Sequence, residues 1–261
     1  TTLSVADLTV VKSVMVSPRN ADRGLDGIEG TILVQDSETG LLRAVMGGKW
    51  VTAVRTAALS MVAARRLANP DSSTIAFVGC GTQAHSHLAA FADAFPLTDV
   101  RVFGRGQAGI DRLCAAARDL GLRADACSEP QDALRGADIV VTSITLSFDV
   151  APFLDGRWMK QGAFAAITDL GIPWIPEGMP AFETVFIDDL EQEAESPKPM
   201  VDPSLVSGDL RALVQTKQAS GFDIAKRSAF VFRGLAIGDY ALTELAYSRA
   251  VEKGLGTLLK V

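Results

Sequence analysis

Short apolar runs and longer amphipathic stretches follow one another between Thr74 and Asp189. The apolar runs are "TIAFVG", "VRVFG", "DIVVTSI", "GAFAAIT" and "TVFIDD", and their length and composition are typical of β-strands. The run "DIVVTSI" has no polar alternation, which indicates a strand buried on both faces. Strands separated by helical stretches predict a doubly wound parallel sheet of the Rossmann type, and therefore an α/β fold.

The regions on either side of this block have a different pattern. Residues 31–35 and 41–46 are apolar runs around the turn-rich "DSETG", which predicts a β-hairpin. Small and apolar residues predict a helix over 49–68. A last helix is predicted over 234–254, and we expect it to belong to the same domain as the start of the chain.

Composition narrows the class of protein. The 261 residues carry a formal net charge of −6 and the pI is about 5.0, so no basic surface for nucleic acid is indicated. No apolar run reaches the ~18 residues of a membrane span, and "TTLSVADL" does not resemble a signal peptide. Three cysteines without a CxxC motif and only two histidines argue against a disulfide framework and against a metal site. We therefore expect a cytoplasmic protein without a bound metal.

The segment "GCGTQA" has the spacing of a dinucleotide-phosphate turn. It follows a predicted strand and opens a predicted helix, which is the context that this motif requires. Gly79 permits the tight turn, Gly81 lets the backbone approach a pyrophosphate, and Ala84 allows close packing of helix and sheet. The helix N-terminus offers N–H groups to the phosphates. The alternative is an ordinary strand-to-helix loop.

The end of the next strand bears on the choice between NAD and NADP. Asp99 lies at the expected distance for a ribose-binding acid, but it opens the strand "VRVFG" instead of closing it. Arg105 stands at the closing end, where a guanidinium can pair with a 2′-phosphate. We therefore expect NADP(H) as the favoured cofactor, with NAD(H) as the alternative. Arg105 as a solvated loop residue is the competing interpretation.

Three segments together resemble the ornithine cyclodeaminase/μ-crystallin family. They are "ETGLLRAVMGGKWVTAVRTAALSMVAARRLA", "GCGTQAHSH" and "GADIVVTSI". The resemblance implies a Rossmann domain, here residues 57–229, inserted into a smaller α+β substrate and dimerisation domain formed by 1–56 and 230–261. It also implies a homodimer that acts on a small amino acid or imino acid.

The resemblance assigns roles to individual positions. Lys12 matches a substrate-contacting lysine, which could hold a carboxylate or pass a proton to an imine nitrogen. Arg55 matches an arginine near the cofactor phosphate and the substrate. Thr82 and Gln83 match cofactor contacts, and Thr145 matches a threonine beside the nicotinamide. For Lys12, a surface lysine on a strand remains the alternative.

Several positions depart from the family pattern. An aspartate that family members carry shortly before a proline is replaced by Gly171, when the comparison is anchored on Pro173. Asp169, two residues earlier, is either the catalytic substitute or a structural residue that caps its own loop. A lysine and a serine of the family are replaced by Val231 and Phe232, which predicts a pocket that is more apolar or differently shaped.

The chain also begins inside the family's N-terminal domain. The resemblance places a carboxylate-binding arginine upstream of Lys12, at a position that this sequence does not include. Two explanations stay open. Either the chain is incomplete, or Arg19 or Arg23 substitutes for that arginine.

These observations predict an NAD(P)H-dependent enzyme that reduces a small α-imino acid, or that oxidises the corresponding amino acid. Lys12 and Asp169 are the expected catalytic residues. The alternatives are an ornithine cyclodeaminase, which the loss of the aspartate at Gly171 disfavours, a cofactor-binding protein without turnover, and an inactive fragment.

Overall fold

The computed structural model describes residues 2–5, 7–25, 27–216 and 221–258. By its contacts the chain divides into two compact units. The first consists of Thr1–Thr56 and Leu235–Val261, and the second of Ala57–Gly234.

The first unit is built on a four-stranded antiparallel sheet in the order β1-β2-β3-β4. Its strands are β1 (Thr2–Val5), β2 (Leu8–Val16), β3 (Ile28–Asp36) and β4 (Leu42–Gly47). A 3₁₀ turn, Pro18–Arg23, follows β2, and the last helix of the chain, α7 (Ala236–Glu252), belongs to the same unit.

The core of this unit follows the alternation of its strands. Val10 on β2 and Ile32 and Val34 on β3 are buried, and Tyr240 of α7 packs against them. The expected hairpin is confirmed, because β3 and β4 pair antiparallel with Val34 opposite Ala44.

The second unit contains an eight-stranded parallel sheet in the order β11-β10-β12-β9-β8-β5-β6-β7. The strands are β5 (Thr74–Val78), β6 (Asp99–Phe103), β7 (Arg123–Ala126), β8 (Ile139–Thr142), β9 (Phe164–Ile167), β10 (Thr184–Ile187), β11 (Val206–Asp209) and β12 (Ser228–Val231). The helices between them are α2 (Thr82–Ala94), α3 (Gln107–Asp119), α4 (Pro130–Leu134), α5 (Leu190–Ala194) and α6 (Leu210–Gln215). The long helix α1 (Lys49–Leu67) precedes β5. The predicted α/β fold is confirmed.

Two features of the sheet were not predicted from the sequence. Strands β11 and β12 were not expected, and β12 lies between β9 and β10 in the sheet. Residues 230 and 231 are part of the parallel sheet, and by its contacts the chain divides at 234/235, whereas the sequence analysis placed this boundary at 229/230. The physical reason is length. The segments "VSGD" and "SAFV" have four residues each, and so short a run has no periodicity that distinguishes a strand from another buried segment.

Glycines and polar residues follow the carboxyl ends of several of the parallel strands. Gly79 follows β5, Gly104 follows β6, Ser143 follows β8 and Asp169 follows β9 after one residue. In open α/β sheets, ligands bind along this edge. Among the described residues, no helix is long and apolar enough to cross a membrane.

Candidate functional site

The glycine turn after β5 has a backbone that only glycine can adopt. Gly79 has φ of +100°, and a Cβ placed on it would lie 2.5 Å from the carbonyl oxygen of Ser143. Its N–H donates to the carbonyl of Phe103 at 2.9 Å, which ties the turn to the end of β6. Gly81, two residues on, has open space beside its Cα.

Helix α2 begins at this turn, and its N-terminus is suited to bind an anion. Gly81 is its N-cap residue and provides no side-chain cap, and its first turn contains no acidic residue. Thr82 is exposed at the first helical position, Gln83 is half-buried, and Ala84 is fully buried against the core. Backbone N–H groups at an uncapped helix start are suited to phosphate. The residues present therefore fit the pyrophosphate of a dinucleotide.

The end of β6 lies beside this turn. A Cβ at Gly104 would lie 2.6 Å from Sγ of Cys80, so the two turns are in close contact. Arg105 follows Gly104 and is exposed. Asp99 lies at the start of β6 and forms an ion pair with Arg123 at 2.7 Å. The carboxylate is thus held at the amino end of the strand, whereas Arg105 stands at the end that carries the glycine turn.

The segment after β8 completes this edge of the sheet. Ser143 donates its N–H to the carbonyl of Val78 at 2.9 Å, and Thr145 is exposed two residues later. The structure therefore brings the segments that carry Gly79, Arg105 and Thr145 to the same edge of one sheet.

Asp169 is fully buried and both of its carboxylate oxygens are engaged. Oδ1 accepts from Thr142 Oγ1 at 2.9 Å, and Oδ2 accepts from the backbone N–H of Ile144 at 3.1 Å. Burial raises the pKa of Asp169 to about 6, against the opposing effect of these hydrogen bonds. Such a carboxylate orders its surroundings, and this geometry favours the structural interpretation of Asp169 over contact with a substrate.

Gly171 cannot be exchanged for the family's aspartate without rearrangement. Its φ is +74°, and a Cβ would lie 2.8 Å from the carbonyl oxygen of Met200. Leu170, just before it, has φ of +60° and is the only described non-glycine residue with a positive φ. The loop after β9 thus follows a path that a carboxylate-bearing residue at 171 would not fit.

In the first unit, Lys12 forms the centre of a buried charged cluster. Its Nζ lies 2.5 Å from Oδ1 of Asp239, and the same oxygen lies 3.2 Å from Nε of Arg55. Thr52 Oγ1 accepts a longer bond from Lys12 at 3.4 Å. The side chains of Lys12 and Asp239 are each only 4% exposed. Three separate elements, β2, α1 and α7, supply the cluster.

Burial has the largest effect on the pKa of Lys12. It lowers the pKa of the Lys12 ammonium below the usual range, the neighbouring Arg55 lowers it further, and the hydrogen bond to Asp239 opposes both. A lysine with a lowered pKa gives up its proton more readily than one in water.

Sequence reasoning did not single out Asp239. The signal was present, because an aspartate in the otherwise apolar stretch "GLAIGDYAL" needs a partner when that helix face is buried. The candidate substitutes Arg19 and Arg23 lie on the 3₁₀ turn and are exposed. Val231 and Phe232 are buried, and Phe232 stacks on Phe230 with ring centroids 4.8 Å apart.

The chain is similar to several known proteins over most of its length. The curated ketimine reductase mu-crystallin of Rattus norvegicus is 26% identical over 246 residues, which are 92% of this chain and 76% of that protein. A solved structure described as a lysine cyclodeaminase that recognises L-lysine, L-ornithine and L-2,4-diamino butyric acid is 28% identical with a TM-score of 0.86. The alignment covers 98% of this chain and 75% of that one.

An archaeal alanine dehydrogenase, solved as a dimer with bound NAD, is 25% identical. Its TM-score is 0.86, and the alignment covers 99% of this chain and 82% of that one. The sequence profile of the ornithine cyclodeaminase/mu-crystallin family matches residues 1–254. This chain belongs to the ornithine cyclodeaminase/mu-crystallin family.

Proposed function

We propose that this protein uses a nicotinamide dinucleotide to reduce a small α-imino acid, or to oxidise the corresponding amino acid. The buried cluster of Lys12, Arg55 and Asp239 carries the proposal. Two cations that share one carboxylate in a buried place are suited to an anionic substrate group such as an α-carboxylate. The similar ketimine reductase and alanine dehydrogenase point to the same class of reaction.

Each residue of the cluster has a proposed task. Arg55 holds the substrate carboxylate, because its planar guanidinium matches the two oxygens. Lys12 donates a proton to the imine nitrogen, for which its lowered pKa is suited. Asp239 keeps the Lys12 ammonium in position through the 2.5 Å contact.

The second unit is proposed to bind the cofactor. Gly79, Gly81 and the start of α2 would hold the pyrophosphate, with Thr82 and Gln83 beside it and Thr145 near the nicotinamide. When bound, the reduced nicotinamide supplies the hydride that adds to the imine carbon. The proton from Lys12 balances the reduction of the C=N bond to an amine, and the neutral lysine recovers a proton from solvent.

We further propose a preference for NADP(H). Arg105 is exposed at the end of β6, beside the glycine turn, whereas Asp99 is occupied with Arg123 at the other end of the strand. A guanidinium at this position attracts a 2′-phosphate, and a carboxylate there would repel it.

A homodimer is also proposed. The sheet of the first unit leaves apolar side chains exposed, among them Met15 at 68% and Val45 at 60%. Leu33 is exposed as well and pairs in register with Val45, on the face opposite to the buried Ile32 and Val34. Exposed apolar side chains on one face of a sheet are typical of a subunit interface.

Cyclodeamination is the second candidate, because a lysine cyclodeaminase has a similar structure. The loop after β9 favours reduction instead. A side chain at position 171 would collide with the carbonyl oxygen of Met200. Both carboxylate oxygens of Asp169 already accept hydrogen bonds within the protein. Neither position therefore supplies a base that could reach a substrate.

The experiment that tests the proposal is a panel of small ketimines and α-imino acids, assayed for reduction with NADH and with NADPH. Oxidation of the nucleotide with at least one imino acid is the expected result. Binding of the nucleotide without turnover over the whole panel would favour a cofactor-binding protein. Failure to bind either nucleotide would overturn the proposed function.

A further inference from the structure

Asp169 is a fully buried carboxylate to which the proposed chemistry assigns no task. It follows β9 after one residue and accepts from both the Thr142 hydroxyl and the Ile144 N–H. Thr142 is itself buried at the end of β8, and its hydroxyl also accepts a bond from Trp174 Nε1 at 3.4 Å. Asp169 therefore connects the loop after β9 with the segment after β8.

The bond to Ile144 fixes the orientation of one peptide group. None of the described peptide bonds is cis, and in a trans peptide the N–H and the preceding C=O point in opposite directions. When the Ile144 N–H is directed to Asp169, the Ser143 carbonyl is therefore directed away from it. This carbonyl oxygen is the atom that lies 2.5 Å from the position of a Cβ on Gly79.

We propose that Asp169 is a positioning residue that holds the Ser143–Ile144 peptide against Gly79 and so sets the shape of the dinucleotide turn. The inference rests on the proposed function, because the turn is taken to bind the cofactor. Asp169 acts through the backbone. It also fixes the approach of the chain to Thr145, which directly follows the held peptide.

The conformation of the loop after β9 supports this role. Leu170 keeps a left-handed backbone with φ of +60°, which is unfavourable for a residue with a side chain. The loop is closed by a bond from the Ile172 N–H to the carbonyl of Asp169 at 3.1 Å. At the same strand ends, the N–H of Thr168 donates to the carbonyl of Thr142 at 3.0 Å. Strain that persists in such a place marks a position whose geometry matters.

Two substitutions of Asp169 separate the backbone contact from the charge. Asp169→Asn keeps an oxygen that can accept from the Ile144 N–H, although the carboxylate is lost. Asp169→Ala removes the acceptor and leaves that partly buried N–H without it. Dissociation constants for NADH and NADPH are measured by fluorescence titration, together with unfolding midpoints.

The expected result is that Asp169→Ala weakens NADH and NADPH alike by about tenfold or more, which corresponds to about 1.4 kcal/mol. Asp169→Asn should stay within about threefold of the wild type, since the backbone contact is retained. Equal affinity of the wild type and Asp169→Ala would overturn the inference. A wild type that binds neither nucleotide would instead overturn the proposed function.

Asp188 provides a matched control. It is also a buried aspartate at a strand end, after β10, and its Oδ2 accepts from the N–H groups of Arg233 and Gly234 at 3.0 and 2.7 Å. Burial raises the pKa of Asp188 as it does for Asp169. Asp188→Ala should lower stability but leave the nucleotide affinity of the folded protein unchanged, which separates a specific effect from general loosening.

A second measurement needs no variant and stands even if Asp169→Ala does not fold. Amide hydrogen exchange at Ile144 is followed in the wild type with and without saturating NADH. If the held peptide shapes the turn, binding should slow exchange at Ile144 further. Unchanged exchange at Ile144, with slowed exchange at the start of α2, would overturn the inference.

Discussion

Burial lowers the pKa of the Lys12 ammonium, and Asp239 holds that ammonium at 2.5 Å. Lys12→Met keeps the length of the apolar stem but removes the charge. Asp239 remains next to Arg55 at 3.2 Å, so the buried carboxylate keeps a cationic partner.

Under the proposed function, Lys12→Met should reduce kcat/KM by at least about 100-fold, because a positioned proton donor is lost. The dissociation constant for NADPH should not change. Steady-state kinetics and nucleotide titration measure the two effects separately. Lys253→Ala, which alters an exposed lysine of the same unit, is the control. An active Lys12→Met enzyme would contradict the role of Lys12, and a loss of NADPH binding would assign Lys12 to the cofactor.

The proposed contact of Arg105 with the 2′-phosphate can also be tested by a single substitution. Arg105→Ala should raise the dissociation constant of NADPH by about 10- to 150-fold, as expected for one charge-assisted contact worth ~1.5–3 kcal/mol. NADH, which lacks the 2′-phosphate, should bind nearly as before. Arg211→Ala, at an exposed position on α6, controls for the loss of surface charge. An equal loss for both nucleotides would show that Arg105 does not read the 2′-phosphate.

Gly171 shows how a single backbone angle limits what a site can contain. Gly171→Asp should lower the free energy of unfolding by at least about 3 kcal/mol, through the positive φ and the contact with the Met200 carbonyl. Gly121 has a similar φ of +80° but nothing within 4 Å of a Cβ. Gly121→Asp should therefore cost only about 1 kcal/mol. Denaturant unfolding measures the loss of stability in both variants. Similar losses would mean that the loop moves away from the Met200 carbonyl at little cost, and would contradict the prediction.

At the scale of elements, His87 connects two helices. Its Nε2 lies 2.8 Å from the hydroxyl of Ser60 on α1, and its Nδ1 lies 2.7 Å from the carbonyl of Gln83 within α2. A carbonyl can only accept, so Nδ1 carries the hydrogen and neutral Nε2 accepts from Ser60. Complete burial lowers the pKa of His87 to about 4.

This contact predicts a pH dependence of stability. The unfolded chain binds a proton at His87 near pH 6.5, whereas the folded chain does so near pH 4. The contribution of neutral His87 to the free energy of unfolding is therefore complete above pH 6.5. It falls by roughly 3 kcal/mol as the pH decreases towards 4. Asp169, whose pKa is raised to about 6, contributes in the opposite sense over the same pH range, so the effect of His87 is measured as a difference between proteins. Urea unfolding at several pH values should show that the free energy of unfolding of the wild type, relative to that of His87→Gln, falls by this amount between pH 6.5 and 4. The same comparison of His85→Gln with His87→Gln should retain most of the fall. If the wild type and His87→Gln changed in parallel with pH, the buried histidine would not contribute this dependence.

At the scale of the whole molecule, the exposed apolar face of the first unit's sheet bears on the oligomeric state. The apolar face of the first unit's sheet includes Leu33 and Val45, which are exposed in the single chain. We expect a homodimer or a larger even-numbered assembly in which this face is buried. Multi-angle light scattering should show that assembly for the wild type and a shift to monomer for Val45→Glu. Leu120→Glu, at an exposed apolar position on the second unit, should leave the assembly intact. A wild type that is monomeric at micromolar concentration would contradict the proposal.

The sequence alone determined the features that depend on local pattern. The blocks of apolar and amphipathic residues specified a parallel sheet, because strand and helix periodicity are local properties. The turn "GCGTQA" was assigned from its neighbours for the same reason, and Gly79 does adopt a backbone that excludes other residues. The family followed from segments that the structure places in both units.

Only the tertiary structure decided which distant residues meet. Lys12 and Asp239 are 227 positions apart, and no local pattern relates them. The position of β12 between β9 and β10, and the two bonds that occupy Asp169, likewise depend on the order of strands in the sheet. The physical reason is that periodicity reports which face of an element is buried, whereas the partner that covers this face is selected by the packing of the whole chain.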